Sequence, residues 1–536
     1  MKRIIIFSLL LVAATAFITV KYFRSLNNSG EHSANILRNI PDNAAAVFEF
    51  SNDKGFYDIF TDNTLVGNLI GEEKIGELDT VRKVFFGDAT LQGFFNNSNV
   101  FVSLHPDTSQ SSGTELLITA AAAKNFDIEI FNSLLKKKKS GYVITPLNIN
   151  GKKGYTVYFT SLKKRFYIIN KSGNIFSASF SKNLITRSAA YKTDNDNHAF
   201  LLLPDKQNAN SLANLYVNYT QLSPVFEQLL KNRYSDIFKS FRLLPALGAL
   251  NLNYKTDALM FNGYTNIINN KPASYLNLFR DQQPVVNKLK EVFPSTTAYA
   301  MSMGVSDPEK FMHDLSRFYD KAGLKGEEDT LFNKVKNETG INLHTEFGKL
   351  LGNEFALVTT RYHEKLGIVA TTNGLKLRPF MTNISTMVDD NTGRFKYDKL
   401  PYFLLGDAFS ILKRPYFRII DNYLILANSI HELDSYNDIY FNRKFLNKAE
   451  NYIDFDNLTA ERSNVSFIMY FKNAQPILKG DLKDNIYSNY KNSSLSLKNF
   501  YAASYQLSAA DRNFYTNFCM LKNVQDSTSV KNTKNQ

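Results

Sequence analysis

Two stretches of the sequence, "IPDNAAAVFEF" (residues 40–50) and "FPSTTAYAMSM" (residues 293–303), have the same plan. In each, a proline is followed by small residues and then by alternating apolar positions. Proline cannot donate a hydrogen bond to a β-ladder, but a strand tolerates it at its first residue. Each stretch therefore predicts a strand that starts just after its proline. Their spacing of about 250 residues is far longer than a solenoid repeat of about 20 to 50 residues.

Four further segments recur in the same order at similar offsets. The pairs are "NVFVSL" (99–104) with "EFALVT" (354–359), "LITA" (117–120) with "IVAT" (368–371), "IFSASFSKNL" (175–184) with "LILANSIHEL" (424–433), and "LYVNYTQLSPVF" (215–226) with "FIMYFKNAQPIL" (467–478). A single match would carry little weight, because apolar strands resemble one another. Matches in one order, with offsets within 249–255, are hard to obtain by chance and predict an internal duplication.

The predicted fold class is α+β, with two duplicated, pseudo-symmetric lobes of largely antiparallel sheet after an N-terminal membrane-anchor helix. Runs of strands and runs of helices, rather than strict alternation, favour this class. The predicted organisation is a signal anchor at 1–24, a juxtamembrane linker at 25–39, repeat 1 at 40–270 with a basic region at 130–193, a linker at 271–289, repeat 2 at 290–522 and a disordered polar tail at 523–536.

Local patterns in repeat 1 predict its elements in more detail. Phe126 and Ile130 are four residues apart, as on an amphipathic helix, within 124–139. Residues 141–180 contain four short strand-like runs joined by Gly, Asn and Lys, which predicts an antiparallel meander. The stretch "SPVFEQLLKNRYSDIF" (223–238) predicts a helix with Ser223 as N-cap and Pro224 at its first position.

The composition is that of a water-soluble globular protein. Of the 536 residues, 44% are hydrophobic and 21% are charged, and the mean hydropathy is −0.27. The aromatic residues are 43 Phe and 29 Tyr with no Trp, which favours strands. The single cysteine, Cys519, excludes an intramolecular disulfide and a Cys-based zinc site. Its apolar neighbours in "NFCML" predict a buried thiol.

The N-terminal stretch "MKRIIIFSLLLVAATAFITVKYFR" (1–24) is uncharged from Ile4 to Val20 and has cations on both sides. As a helix this run would cover about 25 Å, close to a hydrocarbon core of about 30 Å. We favour an uncleaved signal anchor, and the alternative is a signal peptide cleaved after Ala14-Thr15-Ala16. The charge bias predicts a single-pass cell-membrane protein with its bulk in the periplasm. Cleavage would instead give a secreted protein.

From Ile130 to Thr193 the chain has no Asp or Glu and carries thirteen cations, as many as its net charge of +13. The corresponding part of repeat 2, about 380–443, mixes acidic and basic residues. One interpretation is that these lysines protect hairpin tips and edge strands from aggregation. The other is a basic face toward anionic lipid headgroups or acidic envelope polymers. The compartment disfavours nucleic acid. The possible contact residues are Lys136, Lys137, Lys138, Lys139, Lys152, Lys153, Lys163, Lys164 and Arg165.

No sequence motif for catalysis or metal binding is recognisable. The seven histidines are scattered, without H-x-H or H-E-x-x-H spacing. The stretches "DNDNH" (194–198) and "DFDN" (454–457) lack the glycine and distal glutamate of a calcium loop. In "GEEKIGEL" (71–78) a glutamate stands where a phosphate loop needs lysine. The sequence therefore predicts no cofactor and no enzyme, although a site built from dispersed residues would leave no motif.

The predicted anchor, the openings "PDNAA" and "PSTTA", and the segment "LILANSIHEL" resemble a family of large membrane-anchored bacterial envelope proteins, a domain-of-unknown-function family. The resemblance covers most of the chain, implies an anchored extracytoplasmic protein and supplies no catalytic residues. The predicted function is a non-enzymatic binding, interaction or structural role in the cell envelope. The alternatives are a carrier for an apolar or amphiphilic ligand between the two lobes, and a hydrolase with a dispersed site.

Overall fold

The computed structural model describes residues 34–52, 64–86, 98–107, 114–122, 141–192, 200, 211–231, 243–269 and 274–523. The predicted anchor, the predicted helix at 124–139, the "DNDNH" stretch and the tail beyond residue 523 lie outside the described residues. The chain forms two compact units. Unit 1 comprises Met1–Ile59 and Asp79–Gln221, and unit 2 comprises Phe60–Leu78 and Leu222–Gln536.

Unit 1 contains an antiparallel sheet. Its strands are β1 (Ala46–Ser51), β2 (Asn99–Pro106), β3 (Thr114–Ala121), β4 (Tyr142–Ile149), β5 (Lys152–Phe159), β6 (Lys164–Ser172), β7 (Ile175–Ser179) and β8 (Ala213–Asn218). They pair in the order β8-β1-β2-β3-β7-β6-β5-β4. The strand predicted after Pro41 and the four-stranded meander at 141–180 are confirmed.

Several helices lie within the described residues before position 231. They are α1 (Thr64–Ile70), α2 (Glu72–Val81), α3 (Lys182–Ala190) and α4 (Leu222–Leu229), and a π-helical turn (Arg82–Phe86) follows α2. Helix α3 covers one face of the unit 1 sheet, where Leu184 and Ile185 pack with Leu117 and Ile169. Val81 and Phe85 pack on the other face with the apolar residues of β5 and β6.

The predicted start of α4, at Pro224, is wrong by two residues. The helix begins at Leu222 and follows a 3-10 turn, Tyr219–Gln221, so Ser223 is not its N-cap. The side chain of Asn218 accepts hydrogen bonds from the backbone N–H and the hydroxyl of Thr220, at 3.2 and 2.7 Å. An Asn that caps the preceding turn leaves no free helix end for Ser223 to cap.

Unit 2 has a longer antiparallel sheet. Its strands are β9 (Ala246–Tyr254), β10 (Ala258–Ile267), β11 (Val285–Val286), β12 (Thr297–Gly304), β13 (Leu351–Thr360), β14 (Lys365–Thr371), β15 (Ser385–Met387), β16 (Thr392–Phe395), β17 (Tyr416–Ile420), β18 (Tyr423–Ala427), β19 (Arg462–Ser463), β20 (Val465–Tyr470), β21 (Phe500–Ala510) and β22 (Asn513–Lys522). The order is β9-β10-β22-β21-β20-β12-β13-β14-β18-β17-β16-β15, with β11 and β19 paired separately.

Helices cover both faces of this sheet. They are α5 (Pro308–Lys321), α6 (Lys325–Thr339), α7 (Leu343–Leu350), α8 (Gly374–Ile384), α9 (Leu400–Leu405), α10 (Ile430–Phe441), α11 (Tyr452–Asp456), α12 (Phe471–Asp481) and α13 (Asp484–Asn492), with 3-10 helices at Tyr275–Asp281, Leu289–Val292, Asp407–Ile411, Leu446–Lys448 and Leu497–Asn499. On one face Ile368 packs with Leu433 and Tyr436 of α10. On the other face the ring of Phe355 lies 5.4 Å from that of Phe311 in α5. The fold class is therefore α+β with largely antiparallel sheet, as predicted.

Eight strands of unit 2 follow the order of unit 1. The run β20-β12-β13-β14-β18-β17-β16-β15 matches β8-β1-β2-β3-β7-β6-β5-β4 strand for strand. In both runs a serine caps the helix that follows: Ser181 accepts from the N–H of Leu184, and Ser429 from that of Glu432. The connection between β5 and β6 differs from its counterpart in unit 2. A short turn at 160–163 joins β5 to β6, whereas α9 and a 3-10 helix lie between β16 and β17.

Strands β10 and β22 pair with each other and place like residues opposite one another. Asn262 faces Asn517, and the Nδ2 of Asn262 donates to the Oδ1 of Asn517 at 2.6 Å. The ladder of side-chain amides continues to Asn253 on one side and Gln506 on the other. We call this chain of four side chains the amide ladder. It joins two hairpins, β9–β10 and β21–β22, that are far apart in the sequence.

The structure differs from the predicted linker at 271–289. Its described part, from Ser274, is structured: Tyr275, Leu276 and Phe279 of the 3-10 helix are at most 1% exposed. The hydroxyl of Tyr275 donates to the carbonyl of Leu405 at 2.6 Å. Three large apolar side chains in seven residues need burial, so this segment is part of the unit 2 core.

Replacement of Gly263 by alanine should destabilise unit 2. A Cβ there would lie 2.0 Å from the carbonyl oxygen of Ala249, which is backbone and cannot move without disturbing the β9–β10 pairing. We expect Gly263→Ala to lower the free energy of unfolding by about 2 kcal/mol or more. Gly76→Ala is the control, because open space surrounds this position inside α2. It should raise stability by about 0.5 to 1 kcal/mol. Urea unfolding of both variants measures the difference.

Candidate functional site

The basic residues predicted as anion contacts lie at two places on unit 1. Lys152 and Lys153 begin β5, whereas Lys163 ends the β5–β6 turn and Lys164 and Arg165 begin β6. At about 3.3 Å per residue, β5 separates the two groups by about 20 Å. Exposed charges are screened over about 8 Å in physiological salt, so the two groups act separately. The other predicted contacts, Lys136–Lys139, lie outside the described residues.

The group at the β5–β6 turn is held in a fixed conformation. Leu162 packs against the apolar core of β5 and β6, and Lys163 has a φ of 54°, which reverses the chain. Thr160 donates its backbone N–H to the carbonyl of Gly141 at 3.0 Å. Lys163 and Arg165 are exposed. Their charges therefore project from an ordered turn.

Two of the thirteen cations make structural contacts within unit 1. Lys171 is 1% exposed, and its ammonium donates to the carbonyls of Ser188 and Tyr191 at the end of α3. Burial lowers the pKa of Lys171 to about 8. Arg187 pairs with Glu115 at 2.8 Å. The sequence did not separate these two from the exposed lysines.

In the corresponding strands of unit 2, basic side chains have partners. Arg418 pairs with Asp434 at 2.8 Å, and the guanidinium of Arg394 lies 5.0 Å from the centre of the Tyr416 ring. The connection that replaces the β5–β6 turn is a longer segment with two helices. The short basic turn is a feature of unit 1, whereas the exposed Lys413 and Arg414 of unit 2 lie at the end of this longer segment, which also contains Asp398 and Asp407.

A second difference lies on the face of the unit 1 sheet that α3 covers. One row of neighbouring side chains there is Asn214, Glu49, Phe101, Thr119 and Ser177. The same row in unit 2 is Ser466, Ser302, Ala356, Ile368 and Ile425. Side chains directly opposite on paired strands share one face. At the positions of Thr119 and Ser177, unit 2 has Ile368 and Ile425, whereas at those of Asn214 and Glu49 it has the smaller polar residues Ser466 and Ser302.

Glu49 is the charged member of this row and is 2% exposed. Its carboxylate accepts hydrogen bonds from Asn99 at 2.7 Å, from Asn214 at 3.1 Å and from the hydroxyl of Tyr216 at 2.6 Å. Glu49 belongs to no recognisable sequence motif. A carboxylate between Phe48 and Phe50 in a predicted strand is the signal that could have drawn attention to it.

A Ser–His–Asn chain crosses the next part of the same face. Ser103 Oγ lies 2.8 Å from Nε2 of His105, and Nδ1 of His105 lies 2.9 Å from Oδ1 of Asn43. This order of groups is that of a nucleophile, a base and an orienting residue. However, Ser103 and His105 are 0% exposed, and burial with the charge of Arg187 lowers the pKa of His105 to about 3. With so low a pKa, His105 is a weak base, and Ser103 is covered by the surrounding protein. The Ser–His–Asn chain is therefore suited to a structural role, in which its hydrogen bonds hold neighbouring segments together.

Removal of the Thr119 hydroxyl tests whether this polar row has only a structural role. Thr119 and Ser177 are 0% exposed, and neither hydroxyl has a hydrogen-bond partner among the described residues. An unsatisfied buried hydroxyl costs about 1 to 3 kcal/mol. We expect Thr119→Val, which keeps the shape, to raise the free energy of unfolding by about 1 kcal/mol. Ser103→Ala, which removes a partner of His105, should lower it. Destabilisation by Thr119→Val would instead mean that this hydroxyl holds a bound group.

In unit 2, Glu328, Asp329 and His344 bring their ligand atoms within 4.8 Å of one another, as a metal site would. Nζ of Lys325 lies 2.8 Å from Glu328 and 2.9 Å from Asp329. Ser316 also donates to Glu328 at 2.8 Å. Lys325 balances one of the two negative charges, and the cluster forms an ion-pair network at the start of α6. The sequence did not reveal it, because α6 and α7 supply different members.

Glu354 is a buried carboxyl with a perturbed pKa. It is 8% exposed, and burial raises its pKa to about 7 despite the backbone N–H groups of Lys288 and Leu289, which donate to it at 3.0 and 3.1 Å. Perturbed carboxyls occur at active sites and also in structural networks. Here the carboxyl caps the 3-10 helix Leu289–Val292, which gives it a structural role.

The stability of unit 2 should depend on pH through Glu354. Because its folded pKa lies above the ordinary value of 4.5, folding favours the protonated form. Its contribution to the free energy of unfolding is complete below about pH 4.5 and is lost as the pH rises through about 7. As the pH rises through this window, we expect the free energy of unfolding of Glu354→Gln to increase relative to that of the wild type by about 2 to 3 kcal/mol. Chemical unfolding between pH 4 and 8 measures this, with exposed Glu450→Gln as the control. Parallel curves for Glu354→Gln and wild type would contradict it.

One apolar cavity in unit 2 is too small to hold a lipid. It is lined by Phe347, Phe380 and Leu405, among others, and has a volume of about 10 Å³. That is room for about one water molecule, whereas ligand pockets measure about 300 to 1,000 Å³. This cavity gives the carrier hypothesis no support.

Comparisons with known proteins add no identification. No family model, no curated protein and no solved structure matches this chain. Among the described residues, no helix combines the length and the apolar composition needed to cross a membrane. The resemblance to an envelope-protein family and the anchor at 1–24 therefore stay predictions.

Proposed function

We propose that this chain is a non-enzymatic protein of the bacterial cell envelope, tethered by residues 1–24, that binds an anionic partner through unit 1. The observation that carries the proposal is the ordered, exposed turn with Lys163 and Arg165 in a stretch without acidic residues. A surface with one sign of charge attracts partners of the opposite sign. The equivalent connection in unit 2 has a different structure, which supports a role beyond the common fold.

The proposal includes an internal duplication. It is supported by the eight strands that follow one order in both units and by the serine caps of α3 and α10. The pairs of sequence segments also support it, and the structure shifts two of them by one or two residues: the capping serines are 248 residues apart, and Thr119 corresponds to Ile368 and not to Ala370. In this proposal the two copies keep one scaffold and have diverged at the β5–β6 connection and on the α3 face.

A binding role without catalysis is supported by the surroundings of the titratable groups. Glu49 and His105 lie covered in unit 1, and Glu328 is neutralised by Lys325. Glu354 caps a helix. Each of these groups has a structural task.

A cysteine at Tyr362 tests the compartment. Tyr362 is 66% exposed, whereas the native Cys519 is buried and burial raises its pKa to about 12, so wild-type protein gives little background. We expect Tyr362→Cys to react in intact cells, after permeabilisation of any outer membrane, with a maleimide that cannot cross the inner membrane. The protein should stay in the membrane fraction after an alkaline wash. Labelling only after lysis would contradict an extracytoplasmic location.

A further inference from the structure

We propose that the β5–β6 turn of unit 1 docks on the surface of an anionic lipid bilayer, with Val143 and Tyr158 entering the headgroup layer beside Lys163 and Arg165. This inference rests on the proposed function and names the partner: the lipid surface, not a soluble polyanion.

The turn brings apolar and basic side chains into one patch. Val143 lies opposite Tyr158, and Tyr158 lies opposite Arg165, so the three side chains form a row on one face of the sheet. Val143 is 56% exposed and Tyr158 is 37% exposed. Lys163 precedes β6 in the adjacent turn. Val143, Tyr158, Lys163 and Arg165 are called the turn patch.

The chemistry of the turn patch fits a bilayer surface better than a soluble polyanion. A polyanion would gain from Lys163 and Arg165 but would leave Val143 and Tyr158 in water. At a bilayer, tyrosine sits at headgroup level and apolar side chains enter the acyl boundary. Each cation near an anionic leaflet adds about 1 kcal/mol, a factor of roughly five. An anionic bilayer surface therefore offers favourable contacts to all four side chains of the turn patch.

Two further features favour this partner. The turn is already ordered by Leu162 and by the hydrogen bonds of Thr160, so docking costs little conformational freedom. Only residues 25–33 separate the predicted anchor from the first described residue. Even a fully extended chain of that length would span about 30 Å. Unit 1 would thus stay close to the membrane that holds the anchor.

The absence of tryptophan from the chain allows a direct test. Tyr158→Trp supplies a single fluorophore in the turn patch, and Tyr362→Trp, at a 66% exposed position in unit 2, supplies the control. The full-length protein is reconstituted into vesicles of phosphatidylcholine, with or without 30% phosphatidylglycerol, that carry brominated acyl chains. We expect quenching and a blue shift for Tyr158→Trp with the anionic lipid only, both lost in 1 M salt. Tyr362→Trp should not respond.

Charge reversal in the Tyr158→Trp background distinguishes docking through the turn patch from a general electrostatic attraction between the basic protein and anionic vesicles. Lys163→Glu with Arg165→Glu should lower the ratio of docked to undocked turn by about 30-fold or more, because two factors of roughly five are lost. Lys152→Glu with Lys153→Glu changes the net charge equally, about 20 Å away, and should have a much smaller effect. Equal effects of the two pairs would overturn the turn patch as the docking site.

The other outcomes are equally decisive. Quenching with both lipids, or with neither, would overturn docking on anionic lipid. A Tyr158→Trp response to soluble polyphosphate without one to anionic vesicles would overturn this inference and leave the proposed function standing. Failure of Tyr362→Cys labelling in intact cells would instead remove the proposed function itself.

Discussion

The pairing of β10 with β22 is the constraint on which the architecture of unit 2 depends. It joins two hairpins whose residues are separated by most of that unit, and the amide ladder from Asn253 to Gln506 fixes its register. A slip by one residue would turn every side chain to the opposite face and would separate the paired amides. Gln506 also exchanges hydrogen bonds with the backbone of Ala460, at 2.7 and 2.9 Å. The ladder is thus tied to a loop outside the four strands.

The two units treat the same sheet position in opposite ways. In unit 2 the sheet face under α10 includes the buried side chains of Ala356, Ile368 and Ile425. Burial of their apolar area stabilises this face without any need for hydrogen-bond partners. In unit 1 the equivalent face contains Glu49 and Thr119, and burial of such groups costs free energy unless hydrogen bonds compensate. Glu49 accepts hydrogen bonds from Asn99, Asn214 and Tyr216, whereas the hydroxyl of Thr119 has no partner among the described residues. These polar groups interrupt an apolar layer that includes Leu117 and Ile169.

Much of the fold could be predicted because local rules act within a few residues. Proline before a strand, runs of strands and of helices, and glycine-containing joints in 141–180 led to the correct fold class and meander. The start of α4 was missed because Asn218 competed with Ser223 as a cap, and propensity alone does not rank the two. The candidate sites were harder. Glu49 meets Asn99 and Asn214 across separations of 50 and 165 residues, and a single sequence does not give strand register.

The long separation between β10 and β22 has a consequence for biosynthesis. At about 5 to 20 residues per second, a ribosome completes β22 on the order of 10 to 50 s after β10. Until then the outer edge of β10 has unpaired N–H and C=O groups, which can template another chain. A second nascent copy that arrives first could supply its own terminal hairpin and leave two molecules exchanged. The yield of chains that pair with their own terminal hairpin should therefore fall as more ribosomes translate the same mRNA at once.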